Sequence, residues 1–285
     1  MSRVAVITDS TAYLPQELIQ KYAITVIPLA VVWEEEVLRD GVDISPQEFY
    51  DRLPRATSMP TTSQLTVEQV KEAFESLLER GHEILAMFIS SKFSGSYQSA
   101  LQARAEIPGA SEKIAVVDSL FTTMAMGWPV LTAARAAQAG ESLASVQRIA
   151  EHARDHSGVI FVVETLEFLR RGGRIGGAQA LLGTMLNIKP LLEIRAGQIE
   201  PVEKVRTKAK AIERMLDLVE ERVRGQNPLR LAASHAAAEA EALTMLEAAC
   251  ERMQPVEKLC VPLSPVIGTH AGPGTVALNY MAGVE

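Results

Sequence analysis

At 285 residues the chain is about twice the length of a typical domain, enough for one large domain or two moderate ones. Its 28 Lys and Arg against 35 Asp and Glu leave a net charge of −7, which gives no global attraction to nucleic acid or anionic membrane. Apolar residues at 47% and charged residues at 22% exclude a disordered chain, and with aromatics at only 5% the core must be aliphatic.

Val4–Ile7 opens the chain as a strand candidate, and its four apolar residues fall short of the roughly 7–15 in a signal-peptide core. Thr8-Asp9-Ser10-Thr11 follows, a hydroxyl-and-acid segment that either binds a ligand or caps the helix beginning near Pro15. A strand is expected over Thr25–Val32. Ser45-Pro46-Gln47-Glu48 announces a helix with a cap, a Pro at the first helical position and an acid three residues on. Pro60-Thr61-Thr62-Ser63-Gln64 is either a loop of neutral donors converging on one acceptor or a turn held by side chain to backbone bonds. Thr66-Val67-Glu68-Gln69 is a second capping box, before a helix through Val70 to Arg80 that Gly81 ends.

The apolar strand Ile84–Ile89 runs into Ser90-Ser91-Lys92-Phe93-Ser94-Gly95-Ser96-Tyr97, ahead of a helix at Gln98. Ser and Gly at a helix start present N–H and hydroxyl groups to an anion, with ordinary capping as the alternative. Neither a G-x-S-x-G nucleophile elbow nor a G-x-x-x-x-G-K-[ST] phosphate loop occurs. After a strand at Lys113–Val117, two helices are expected over about 120–139 and 142–156, joined at Gly140. The greasy stretch Leu120–Ala139 contains Gly127, Pro129 and Arg135, so it reads as a buried helix instead of a membrane span of ~20 clean residues.

No Pro-, Gly- or Ser-rich linker marks a boundary, so pattern places one near His156–Gly158, giving domains 1–157 and 158–285. The second half offers strands at Val159–Val163, Leu191–Arg195, Gln198–Lys204, Arg230–Ser234 and Val256–Val261. Ala196-Gly197 turns the second and third of these into a hairpin. Leu169-Arg170-Arg171-Gly172-Gly173-Arg174-Ile175-Gly176-Gly177 gathers three Arg and four Gly where backbone and guanidinium can approach an oxyanion. Residues 165–214 carry ten Lys and Arg against five Asp and Glu, a basic face on an acidic protein. His270-Ala271-Gly272-Pro273-Gly274-Thr275 reads as a Gly-rich loop before a short terminal helix, with His270 the one histidine of five free to approach a ligand. Cys250 and Cys260 form no C-x-x-C, support neither a disulfide scaffold nor a zinc site, and make the cytoplasm the expected compartment. Strand–helix alternation argues for α/β layers with mainly parallel pairing in the first half.

Taken in order, these segments resemble the DegV family of bacterial fatty-acid-binding proteins. The resemblance rests on Asp9-Ser10-Thr11, Pro60-Thr61-Thr62-Ser63-Gln64, and Ser90-Ser91-x-x-Ser94-Gly95-Ser96-Tyr97-Gln98-Ser99. It continues through Thr165-Leu166-Glu167-x-Leu169-Arg170-Arg171-Gly172-Gly173-Arg174-Ile175, Asn187-Ile188-Lys189-Pro190, Glu203-Lys204-Val205-Arg206-Thr207 and His270-x-Gly272-Pro273-Gly274. Leu65, Phe93 and Ala277 depart from residues common in the family, and Phe93 bears on chain-length or saturation preference.

The resemblance implies a two-domain α/β fold, its second domain a mixed sheet with helices, and a long-chain fatty acid between the domains. Its carboxylate would be held by Thr61 and Ser94, with His270 and Arg174 completing the network and Thr62 and Gly95 beside them. It further implies a cytoplasmic carrier without turnover or cofactor. Such a carrier presents the carboxylate to a separate fatty acid kinase subunit, docked at Arg206, to form acyl phosphate for phospholipid synthesis. Two other readings compete. A hydrolase would use Ser94, His270 and Asp9 as a triad with Gly172-Gly173 near the oxyanion, although Ser94 lacks an elbow sequence. A phosphate- or nucleotide-binding protein would use the Gly/Arg run as an anion cradle, although no feature identifies a base pocket.

Overall fold

Half-buried strands and one-sided helices are stable only where their apolar faces meet, and here they do so in layers around three sheets. The computed structural model describes residues 4–184 and 188–285; Met1-Ser2-Arg3 and Asn187 of the Asn187-Ile188-Lys189-Pro190 motif lie outside them. In the first half the strands are β1 (Val4–Asp9), β2 (Thr25–Ile27), β3 (Ala30–Trp33), β4 (Glu36–Arg39), β5 (Thr61–Ser63), β6 (Glu83–Phe88) and β7 (Ile114–Asp118). The second half adds β8 (Ser157–Val162), β9 (Lys189–Arg195), β10 (Gln198–Val205), β11 (Leu229–His235), β12 (Glu257–Pro262) and β13 (Val276–Ala282). The helices are α1 (Gln16–Lys21), α2 (Pro46–Arg52), α3 (Val67–Glu79), α4 (Ser96–Glu106) and α5 (Thr123–Gln138). They continue with α6 (Leu143–Asp155), α7 (Glu167–Arg171), α8 (Lys208–Val223), α9 (Glu239–Met253) and α10 (Pro265–Ala271).

The first sheet is wholly parallel, in the order β2-β1-β6-β7. A small antiparallel sheet, β4-β3-β5, lies beside it. The third sheet is mixed, β10-β9-β8-β13-β11-β12, with β11 and β12 its parallel pair. Both capping boxes form as expected, with Ser45 and Glu48 closing α2 and Thr66 and Gln69 closing α3. The hairpin β9–β10 also forms, turning at Ala196-Gly197.

Three local expectations are corrected. Thr25–Val32 is two strands in different sheets, because Pro28 has no N–H to continue a ladder. Thr61–Ser63 forms a short strand against β3, so the hydroxyl-rich segment is paired on its main chain. The Gly-rich segment 272–275 precedes no helix. The helix α10 lies before it, and Val276–Ala282 becomes β13, a central strand paired on both sides. Ala, Leu and Met in that run favour a helix on propensity alone, and two flanking strands override it.

Helix α5 is buried nearly all round and packs on β1 and β6 as well as on β8, β11 and β13, tying the two large sheets together. Thr122, at its N-cap position, makes no side-chain cap bond. The cap comes from β13 instead: Asn279 Oδ1 accepts from Ala125 N at 3.1 Å and Thr123 Oγ1 at 2.7 Å. Asn279 Nδ2 donates to Ala232 O at 3.0 Å and Ser234 Oγ at 2.9 Å, so a fully buried amide is satisfied on both ends. Among the described residues, no helix is long and apolar enough to cross a membrane.

Candidate functional site

Helix α10 carries elements of the second half across to the first. Ser264 caps it by accepting from Ile267 N at 3.2 Å, and Pro265 occupies its first turn. It packs on α2, β3 and β5 on one side and α7 on the other. His270 therefore lies in the last turn of a helix, which corrects the loop expected from its Gly-rich neighbours. Beneath this crossing is a cavity of about 500 Å³ whose wall is mostly apolar. Val159 and Phe161 face it from alternate positions of β8, and Ile194 and Ile199 form a directly paired position of the β9–β10 hairpin. Phe93 adds to the apolar wall from the loop after β6.

Four polar side chains in that wall, Thr62, Ser94, Arg174 and His270, make up a polar patch. Thr62 Oγ1 and His270 Nε2 lie 2.9 Å apart. Arg174 Nε donates to Phe93 O at 3.0 Å and its Nη1 to Gly172 O at 2.6 Å. Ser94, next to Phe93, shares a hydrogen bond with Ser96 Oγ at 2.9 Å, and its main-chain N–H donates to Ser90 O at 3.1 Å. His270 Nδ1 is buried without a partner and abuts Gly172, where a Cβ would stand 2.0 Å from it. Gly172 thus makes room for an imidazole, a role its Gly/Arg run did not disclose. Gly95 has a similar part: a Cβ there would meet Gln64 Oε1 at 2.2 Å.

Burial, reinforced by the Arg174 guanidinium, pushes His270 down to about 4, so its ring is neutral at neutral pH. The formal positive charge in the patch is then that of Arg174. The linkage has a definite sign. Between about 4 and the ordinary 6.5 the unfolded chain binds a proton at this position and the folded chain does not, so stability falls as pH drops through that window. Without ligand, the stability of wild type relative to His270→Gln should decline by about 2–3 kcal/mol from pH 6.5 to 4 and stay level below. Denaturant melts of both proteins across this range check it, and a pH-independent difference would refute it.

Thr62, Ser94, Arg174 and His270 are brought together; Thr61 is not. Thr61, at the start of β5, is exposed and forms no part of the cavity wall. Of the three arginines, Arg170 and Arg171 pair with Glu167 on the exposed face of α7, which leaves Arg174 alone at the cavity. The anion cradle of three guanidiniums is therefore not formed. The triad reading fails on contacts as well. Asp9 accepts from Ile89 N at 2.7 Å and from Thr11 N and Oγ1 at 2.9 and 2.6 Å, while Ser94 bonds Ser96 and His270 bonds Thr62. Asp9 is instead a buried staple between the ends of β1 and β6, its carboxyl pushed up by burial.

Thr275 also lines the cavity, its hydroxyl donating to Ala271 O and Gly272 O at 3.0 and 2.9 Å. Period-two patterning in β8 and across the hairpin was the available signal for the apolar wall. In the basic stretch, Lys204, Arg206 and Lys210 are exposed. Lys208 is taken up by Glu164 and Glu241, and it donates to Gly274 O at 2.6 Å beside the end of α10.

A family model described as an uncharacterised protein of the DegV family matches residues 3–283. A DegV domain-containing protein of Clostridium perfringens is 37% identical over 279 residues, covering 97% of this chain and 98% of its own. Among solved structures, a DegV family protein from Thermus thermophilus, described by its fatty acid binding, superposes with a TM-score of 0.93 at 35% identity. The match covers 98% of this chain and 99% of that one. A protein from Eubacterium ventriosum described as binding stearic acid gives 0.91 at 25% identity, over 100% and 99% of the two chains.

Proposed function

The chain belongs to the DegV family, and on that premise we propose that it binds one long-chain fatty acid in the cavity between the halves 1–157 and 158–285. The observation that carries this reading is a mostly apolar cavity of about 500 Å³ with Thr62, Ser94, Arg174 and His270 in one polar patch. The Thermus thermophilus and Eubacterium ventriosum relatives are described as fatty-acid and stearic-acid binders, which supports the same ligand class. The acyl chain supplies affinity at ~0.8 kcal/mol per buried methylene, on the order of 10 kcal/mol for sixteen carbons before immobilisation costs. The carboxylate then needs donors, since a buried unpaired charge is costly. Thr62, Ser94 and Arg174 supply them.

Organic extraction of the purified protein followed by mass spectrometry should return about one fatty acid per chain. Nucleotide, or an empty site that no C14–C18 acid fills or stabilises, would overturn the proposal. Thr62→Val and Ser94→Ala should each weaken binding by ~1–3 kcal/mol, the range for removing a partner from a buried acceptor, with Thr61→Val near wild type. Isothermal titration of delipidated protein measures all three. Equal losses at Thr61 and Thr62 would place the carboxylate elsewhere.

The bound acid, in this proposal, is presented by a cytoplasmic carrier without turnover of its own to a separate kinase that forms the acyl phosphate. Support comes from the exposed Lys204, Arg206 and Lys210, whose neighbour Lys208 is bonded to Gly274 beside the polar patch. Contacts of this kind set encounter rate and weaken with salt. Arg206→Ala should keep its lipid and melting temperature yet lose acyl-phosphate formation with a cognate kinase and ATP. Activity equal to wild type would remove Arg206 from the docking surface.

A further inference from the structure

A second cavity, of about 690 Å³, shares no lining residue with the first. It opens where β1 ends and is closed by Asp40 and by Cys260, Val261 and Pro262 at the end of β12. Asp40 is 2% exposed and Thr8 0% exposed, and both lie in its wall. Ser10 Oγ donates to Asp40 Oδ2 at 2.7 Å, but Asp40 Oδ1 and Thr8 Oγ1 are buried with no hydrogen-bond partner. Buried polar atoms of this kind are rare; the Asp40 oxygen, when ionised, is an acceptor that lacks a donor, and the Thr8 hydroxyl can accept as well as donate. Asp9, also in this wall, has both oxygens engaged by Ile89 N, Thr11 N and Thr11 Oγ1, so the free carboxylate oxygen here is that of Asp40. Among the described residues no Lys, Arg or His pairs with Asp40, so its ionised form has no counter-charge, which a cationic donor would supply.

The rest of the wall identifies the cation's body. Leu14, Ile19, Val26, Pro28 and Val42 are apolar, and Tyr13 offers an aromatic ring. A divalent metal needs six or more oxygens or a near-octahedral set, and no group of three or more metal-ligating side chains occurs among the described residues. The volume lies in the range of small-molecule sites. We propose that this cavity is a site for a small primary ammonium compound with an apolar body, its charged end seated against Asp40 and Thr8. The site is independent of the fatty-acid cavity.

Burial, with Asp9 nearby, raises the Asp40 carboxyl to about 7, while Ser10 and Ser264 favour its ionised form. The other titratable groups facing it are Tyr13, Tyr50 of α2 and Cys260 of β12, all held protonated by burial. An ammonium binds the ionised carboxylate, so affinity must rise with pH up to about 7 and then level off.

The probe is n-butylammonium chloride, which like a Lys side chain stays protonated below roughly pH 10, with n-butanol as its neutral match. Titrations followed by amide NMR should show saturable binding with shifts at Asp40 and Cys260, strengthening roughly tenfold from pH 5 to 6 and about fivefold from pH 6 to 7. Asp40→Asn should bind at least tenfold more weakly while retaining the wild-type melting temperature and fatty acid. Carboxyl carbon titration of wild type, which needs no variant, should show the Asp40 pKa fall when the amine is present. Absent saturable binding, n-butanol binding equally well, or an unmoved Asp40 titration would each overturn the proposal.

Discussion

Gly172→Ala is expected to weaken the binding of a fatty acid, the ligand proposed for the first cavity, while leaving the protein folded. The added methyl would lie 2.0 Å from His270 Nδ1, so the imidazole has to leave its place between Gly172 and Thr62. The backbone tolerates alanine, since Gly172 already has helical angles of φ −71° and ψ −9°. The damage is therefore steric and local, in the range of ~1–3 kcal/mol for overpacking. It falls on the polar patch: the ring is pushed away from Gly172 and the Thr62–His270 bond breaks. Affinity for a C16–C18 acid should drop roughly 10- to 100-fold, the equivalent of about 1.4–2.8 kcal/mol. Titration of delipidated wild type and variant, alongside their melting curves, reads this out. Unchanged affinity in Gly172→Ala would mean that His270 has no part in holding the carboxylate.

The larger effect on stability is expected at Asn279. Asn279→Leu leaves the Ala125 N–H, the Thr123 and Ser234 hydroxyls and the Ala232 carbonyl without the amide that bonds them, at a position 0% exposed. Stranding buried donors and acceptors costs ~1–3 kcal/mol each, with some relaxation among four that share one site. A total loss of about 3–5 kcal/mol is expected, near the top of the range for point substitutions. Thr123 adds to it, because this β-branched residue sits at φ 56° and the Asn279 bond holds it there. Urea unfolding of delipidated wild type and variant measures the difference. A loss below 1 kcal/mol would show that α5 is capped by other means. Because Thr122 and Thr123 also line the first cavity, the variant should bind the proposed fatty acid more weakly as well.

The elements and the pattern of motifs are local properties, and they were legible without coordinates. Capping boxes at Ser45 and Thr66 act within one helical turn, so their residues alone predict where α2 and α3 begin. Val4–Ile7, Ile84–Ile89 and the Ala196-Gly197 hairpin announce themselves by apolar runs and turn residues. The ordered set of polar segments was enough to indicate the family. What the chain could not disclose are choices made by neighbours far away in sequence. Whether Thr61 or Thr62 faces the cavity depends on the register of β5 against β3, since a shift of one residue exchanges the two. Val276–Ala282 is a strand because β8 and β11 flank it, and His270 is helical because α10 packs across both halves. Arg174 lines the cavity while Arg170 and Arg171 do not, because Glu167 one turn away in α7 engages only the latter two. Local chemistry decided which residues could serve; long-range packing, where burial and pairing outweigh propensity, decided which of them meet.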